Sequence, residues 1–246
     1  MHAKDTRRGF IRWCASAAAG VAANPSVLAA PGRTSRVYES VLLVDASGQP
    51  LTTAALKPRT TYVFHYPLVS TPCFLLKLAD PVPPVSGLKT RDEESYESPG
   101  GVGPESDIVA FAAICAHKMT HPAKAVSFIN FRPEKIRFRD ADDQVKEAGG
   151  LIYCCSEGSV YDPAAGAKVL SGPATQPLTT IRLSFDSTHD QLSATGTIGG
   201  ELYNEFIEKF GFRLGLERGL ADVTAKVQRQ TVVIPIDAYS RSLRQC

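Results

Sequence analysis

No sign of charge dominates this chain: 27 Lys and Arg stand against 25 Asp and Glu, a net of +2 over 246 residues, too balanced for a protein that grips nucleic acid by charge. The small excess sits in residues 1–30, where Lys4, Arg7, Arg8 and Arg12 face Asp5 alone, so the rest is close to neutral. The apolar run from Trp13 to Ala23 stops at Asn24-Pro25, well short of the ~20 residues of a membrane span. There is no glycine-rich phosphate loop, no Ser/His/Asp set, no mononuclear-iron triad motif and no internal repeat, so nothing points to a self-sufficient catalyst. Six cysteines are too few per residue for a disulfide scaffold. What remains is a chain with 43% hydrophobic and 21% charged residues, enough to bury a core and to exclude wholesale disorder.

Short β-branched and aromatic runs, punctuated by Gly and Pro, fill most of it: Val37 to Val44, Thr61 to Tyr66, Cys73 to Leu78, Ile108 to Ile114, Ile136 to Arg139, Leu151 to Tyr153, Leu178 to Phe185 and Gln191 to Thr197. Many short strands at close spacing predict an all-β antiparallel sandwich or barrel. Asp80 to Ser106, with Pro81-Val82-Pro83-Pro84 and Asp92-Glu93-Glu94, has no usable periodicity and reads as a long surface loop. Leu202, Phe206 and Phe210 recur every four residues with Glu205, Glu208 and Lys209 interleaved, the pattern of an amphipathic helix. An extended arm follows at Thr231 to Ile236, and helix and arm are expected to pack on the same domain. The organisation reads as 1–30, a leader; 31–200, the main domain; and 201–246, the helix and arm.

The leader is argued from Thr6-Arg7-Arg8-Gly9-Phe10-Ile11, the apolar run, and Leu28-Ala29-Ala30-Pro31. That order of charge, apolar stretch and small residues resembles a twin-arginine export signal, which implies a periplasmic protein exported already folded, often around a metal cofactor. Cys14 falls in this leader and Cys246 is the last residue. Cys73 sits in an apolar run and reads as a buried thiol. Cys115, Cys154 and Cys155 raise the question of metal.

Cys115-Ala116-His117 follows one apolar strand, and Cys154-Cys155-Ser156-Glu157-Gly158-Ser159-Val160-Tyr161-Asp162 follows another. Ser171-Gly172-Pro173-Ala174-Thr175-Gln176-Pro177-Leu178 comes later, and its prolines, with fixed φ and no N–H, make a stiff segment. Together these three segments resemble the Rieske iron–sulfur family over about residues 60 to 200, with a further similarity to the exported small subunit of arsenite oxidase-type enzymes. The resemblance implies a [2Fe-2S] cluster with two thiolates on one iron and two imidazoles on the other. It implies that Cys115 and His117 are ligands from the first loop, that Ser159 and Tyr161 donate hydrogen bonds to sulfur and raise the potential, and that Gly172 and Pro173 belong to a loop covering the cluster.

The second loop departs from the family's C-x-x-H. Cys154-Cys155-Ser156-Glu157 places Glu157 at the histidine, and shifting by one places Gly158 there, so neither register supplies the fourth imidazole. The first keeps Gly158 to Tyr161 in step with the family. Cys154 and Cys155 therefore stand as rival ligands. Thr120 and Ser156 occupy the positions at which many members join the two loops by a disulfide, so none is expected there. Three outcomes follow: Glu157 binds iron through its carboxylate, lowering the potential; His121 swings in; or no cluster binds. A Zn²⁺ site from Cys115, His117, Cys154 and Cys155 has acceptable donors but needs adjacent cysteines on one ion. The expectation is a periplasmic Rieske-type subunit passing single electrons to or from a partner oxidoreductase, without substrate chemistry of its own. The alternative is a metal-free module of the same fold serving as a structural or assembly subunit.

Overall fold

A computed structural model describes residues 34–246; the export-signal reading falls outside the described residues. In chain order the strands are β1 (Ser35–Val44), β2 (Thr61–His65), β3 (Pro72–Lys77), β4 (Val85–Lys89), β5 (Ser95–Ser98), β6 (Ile108–Ala112), β7 (Ile129–Arg132), β8 (Ile136–Arg139) and β9 (Val145–Ala148). They continue with β10 (Leu151–Cys154), β11 (Ser159–Asp162), β12 (Lys168–Ser171), β13 (Thr180–Asp186) and β14 (Gln191–Ile198), then helix α1 (Tyr203–Arg218), β15 (Gln230–Val232), β16 (Ile234–Pro235) and the single turn α2 (Ile236–Tyr239). The expected all-β architecture with a C-terminal helix is what the chain adopts.

Eight strands form one sheet in the order β15-β1-β14-β13-β6-β3-β2-β16. Its two edge strands, β15 and β16, are separated in sequence by Val233 alone, so one short segment pairs with β1 on one side and β2 on the other. The sheet thereby curls into a nearly closed barrel, which shelters both edges. The C-terminal arm is thus a structural part of the main sheet.

β3 and β6 read as continuous apolar runs because both of their faces are buried. On β3, Cys73 and Leu75 join the barrel interior with Phe64, Tyr66 and Leu192, whereas Phe74 and Leu76 point the opposite way, as the two-residue period of a strand requires. Against that second face lies the small sheet β12-β11-β10-β7, and the core between the two sheets contains Phe111, Ile129, Phe131, Ile152 and Tyr161 together with Cys115 and Cys154. The candidate site therefore grows directly out of a hydrophobic core. Cys73 is the buried strand thiol expected, donating to the Tyr66 carbonyl at 3.1 Å.

Helix α1 lays Tyr203, Phe206 and Leu214 over Ala112 and Ile114, just where β6 runs into the first loop. It ends at Gly219, whose φ of +68° suits the left-handed closing turn and is the conformation glycine adopts most cheaply. The segment Asp80 to Ser106 corrects the reading as a loop: it holds the β4–β5 hairpin, with Leu88 and Tyr96 buried against Ile198. A register shift between Val85 and Leu88 breaks the alternation by which a strand is recognised.

Candidate metal centre

Two tips meet above the core. From β6 the chain enters a tight turn in which the Cys115 N–H donates to the Thr120 carbonyl and the Met119 N–H to the Cys115 carbonyl, both at 2.9 Å. The second tip is the β10–β11 hairpin, where Cys154 pairs with Ser159 and the Gly158 N–H closes the turn on the Cys154 carbonyl at 2.8 Å. Gly158 has φ +76°, a left-handed conformation that explains glycine here.

Cys115 and Cys154 are buried free thiols in one core cluster, linked side chain to side chain by a hydrogen bond. The Tyr161 oxygen accepts from the Ala116 N–H at 3.0 Å, so its own proton is directed at the Cys115 sulfur, 3.1 Å away. The hydrogen bond from Cys154, backed by Tyr161, pulls the Cys115 thiol down against the effect of its burial. The same bond, with burial, pushes Cys154 up. Burial, then the neighbouring sulfur, raises the Tyr161 hydroxyl, which keeps it a donor. A metal takes cysteine as thiolate, so binding one here would release protons from this pair.

Beside the thiols, His117 Nδ1 is buried without a hydrogen-bond partner, as is the Ser159 hydroxyl. Orphaned buried polar atoms are rare and mark a strained or ligand-binding place. The Glu157 carboxylate approaches His117 Nδ1 at 3.9 Å and accepts from Lys118 Nζ at 2.9 Å. Lys118 holds the Glu157 carboxyl below its usual range, first by that bond and then by charge. Lys118 was not visible as a site residue from sequence, although it directly follows His117; its partner comes from the other tip.

The proline-containing segment reaches both tips. Gly172, at φ +83°, packs so closely that a Cβ would stand 2.6 Å from both the Gly158 carbonyl oxygen and the Ser159 Cα. Thr175 donates to the Ala116 carbonyl at 3.3 Å, so the segment touches both tips, with Pro173 exposed at its crest.

The structure parts Cys155 from the site. Cys155 forms a disulfide with Cys246, which corrects its place as a rival ligand: its sulfur is already bonded, and Cys154 is the thiol linked by a hydrogen bond to Cys115. The zinc set loses a donor for the same reason. The absence of a disulfide between the two loops was expected; a disulfide from the second loop to the arm was not. With Cys14 set aside, five of the six cysteines remain, an odd number, and that was the available signal. His121 is also held apart, its ring edge-on to Phe206 and Phe210 at 4.8 and 4.9 Å and its Nδ1 2.9 Å from the Met119 carbonyl.

Among the described residues no three His, Cys, Asp or Glu side chains converge on one point. The donors fall instead into two pairs, Cys115 with Cys154 and His117 with Glu157. Two ligands on each of two irons is how a [2Fe-2S] centre divides its protein donors, so this donor set suits a two-iron cluster better than a single ion. The orphaned imidazole nitrogen points the same way.

No protein-family model matches the chain. Among solved structures it is similar to the soluble domain of the Rieske protein II (soxF) from Sulfolobus acidocaldarius, at 25% identity over 58% of this chain and 71% of that one, with a TM-score of 0.40.

Proposed function

We propose that this chain is a Rieske-type iron–sulfur protein that passes single electrons to or from a partner oxidoreductase, exported to the periplasm by the twin-arginine route. One observation carries the reading: the buried thiols Cys115 and Cys154 share one core cluster with Tyr161, whose hydroxyl meets the Cys115 sulfur, while His117 keeps an unpartnered Nδ1 beside Glu157. Cys115 and Cys154 would hold one iron, His117 and Glu157 the other. When bound, a [2Fe-2S] cluster supplies reversible one-electron chemistry. The chain's own residues set its conditions. Tyr161 and Ser159 offer hydroxyls toward the sulfurs, which favours the reduced state, while the Glu157 carboxylate contributes negative charge where the family has a neutral ring. Lys118 offsets part of that charge, and the Gly172-Pro173 segment limits water above the second tip.

The experiment is anaerobic purification with iron and sulfide analysis and EPR of the reduced protein. About two irons and two sulfides per chain, lost in Cys115→Ser, are expected. A folded, iron-free protein would sink the proposal. It would favour the second reading, a metal-free structural or assembly module, which draws support from the Lys118 bond that already engages Glu157.

A further inference from the structure

A cavity of about 450 Å³ opens between β2, the segment after the first tip, the C-terminal end of α1 and the arm. Its volume falls in the range of ordinary small-molecule sites, and it shares none of its lining residues with the metal centre. Three cations line it: Lys124, Arg218 and Arg241. No Asp or Glu lines it. The Glu217 carboxylate accepts from the Lys124 backbone N–H but is not part of the lining.

The partners of these cations are meagre. Lys124 Nζ donates to the Glu217 carbonyl at 2.7 Å, and Arg218 donates to the Val69 carbonyl. Neither acceptor carries a charge. The Arg241 backbone is fixed to the Lys124 carbonyl at 2.9 Å, but its guanidinium has no hydrogen bond or ion pair among the described residues. Arg218 is half-buried, and its burial pulls the guanidinium below its usual value despite Tyr239 and Glu217 nearby, as expected of a cation whose removal from water outweighs the charge beside it. His65 adds no further cation: burial and then Arg218 push its imidazole well below its ordinary range, and it stands 3.3 Å from the Tyr239 hydroxyl.

The lining also holds an apolar group, Val63, Val232 and Ile234. A free inorganic anion would satisfy the cations and leave that group wet. We propose that the cavity binds a small organic carboxylate, its head on Arg218 and Arg241 with Lys124 close by, its apolar body against the valines and Ile234. Guanidinium groups suit a carboxylate because their paired N–H groups match its two oxygens. The site does not depend on whether the metal centre is loaded.

Isothermal titration of the full chain with benzoate, at roughly 0.15 M ionic strength to screen nonspecific attraction, tests this. Neutral benzamide and inorganic phosphate serve as comparisons. Saturable one-to-one binding of benzoate is expected, tighter than either comparison and weakened at least about tenfold by Arg218→Gln and by Arg241→Gln. Arg241 is exposed and its side chain holds nothing in place, so that variant keeps its fold. Benzoate binding no tighter than phosphate or benzamide, or binding unchanged in Arg241→Gln, would overturn the proposal.

Discussion

The two tips above the core are built to different standards. The first keeps the whole C-x-H pattern and is secured from within, by the closing bonds of Cys115, Met119 and Thr120 and by Tyr161 beneath it. The second has a carboxylate in place of an imidazole, takes a cation from the first tip to balance it, and is secured from outside, by the Cys155–Cys246 disulfide to the arm. The chain thus joins its second tip to a distant segment and not to the first tip. Between the tips themselves the link is the Lys118–Glu157 pair and the core that holds both thiols.

The sharpest way to break this comparison is to exchange the roles of the adjacent cysteines. Cys154→Ser removes one of the two buried thiols and is expected to abolish iron incorporation, whereas Cys155→Ser removes only the tether and is expected to retain it; iron analysis of the two variants decides. Retention in Cys154→Ser with loss in Cys155→Ser would invert the assignment. The next effect is on stability. The disulfide spans 91 residues of sequence, and closing a loop of that size is worth about 2–5 kcal/mol. Cys246→Ser should lower the denaturant midpoint accordingly, and a reductant should lower the parent but not the variant.

The central strands of the main sheet were legible because their chemistry is local. Thr61–His65, Pro72–Lys77 and Ile108–Ala112 are nearly unbroken apolar runs, which is what burial on both faces demands. β9, Val145–Ala148, was not legible: its side chains are largely exposed, so no apolar period marks it, and it exists by pairing with β8. Closure of the barrel by β15 and β16 was invisible for a similar reason, since nothing in Thr231 to Ile236 says which strands will receive it. The site divides in the same way. Cys115, His117, Cys154, Ser159 and Tyr161 stood out through spacing, but the partner of Cys155 did not, because connectivity cannot be read from cysteine positions. Lys118 meets Glu157 only once the tips have met.

A smaller effect tests how the first tip is tuned. Tyr161→Phe removes one hydrogen bond to the Cys115 sulfur, a contribution of about 1 kcal/mol, which for a one-electron couple lowers the potential by roughly 40 mV. A redox titration of the loaded protein reads this directly, and an unchanged potential would reduce Tyr161 to a packing residue.

The smallest effect concerns the bond that crosses between the tips. Lys118 depresses the Glu157 carboxyl, so the folded state favours the ionised form more than the unfolded chain does. The stabilisation this gives is complete above the ordinary glutamate range, near ~4.3, and is lost as the pH falls through the lowered folded value. Lys118→Met should raise the carboxyl's titration toward that range in the metal-free protein, followed by NMR, and should leave stability at neutral pH almost unaltered, because the pair is partly exposed and screened. If the carboxyl stays depressed without Lys118, then His117 alone supplies the positive partner, and the second tip is coupled to the first through the imidazole.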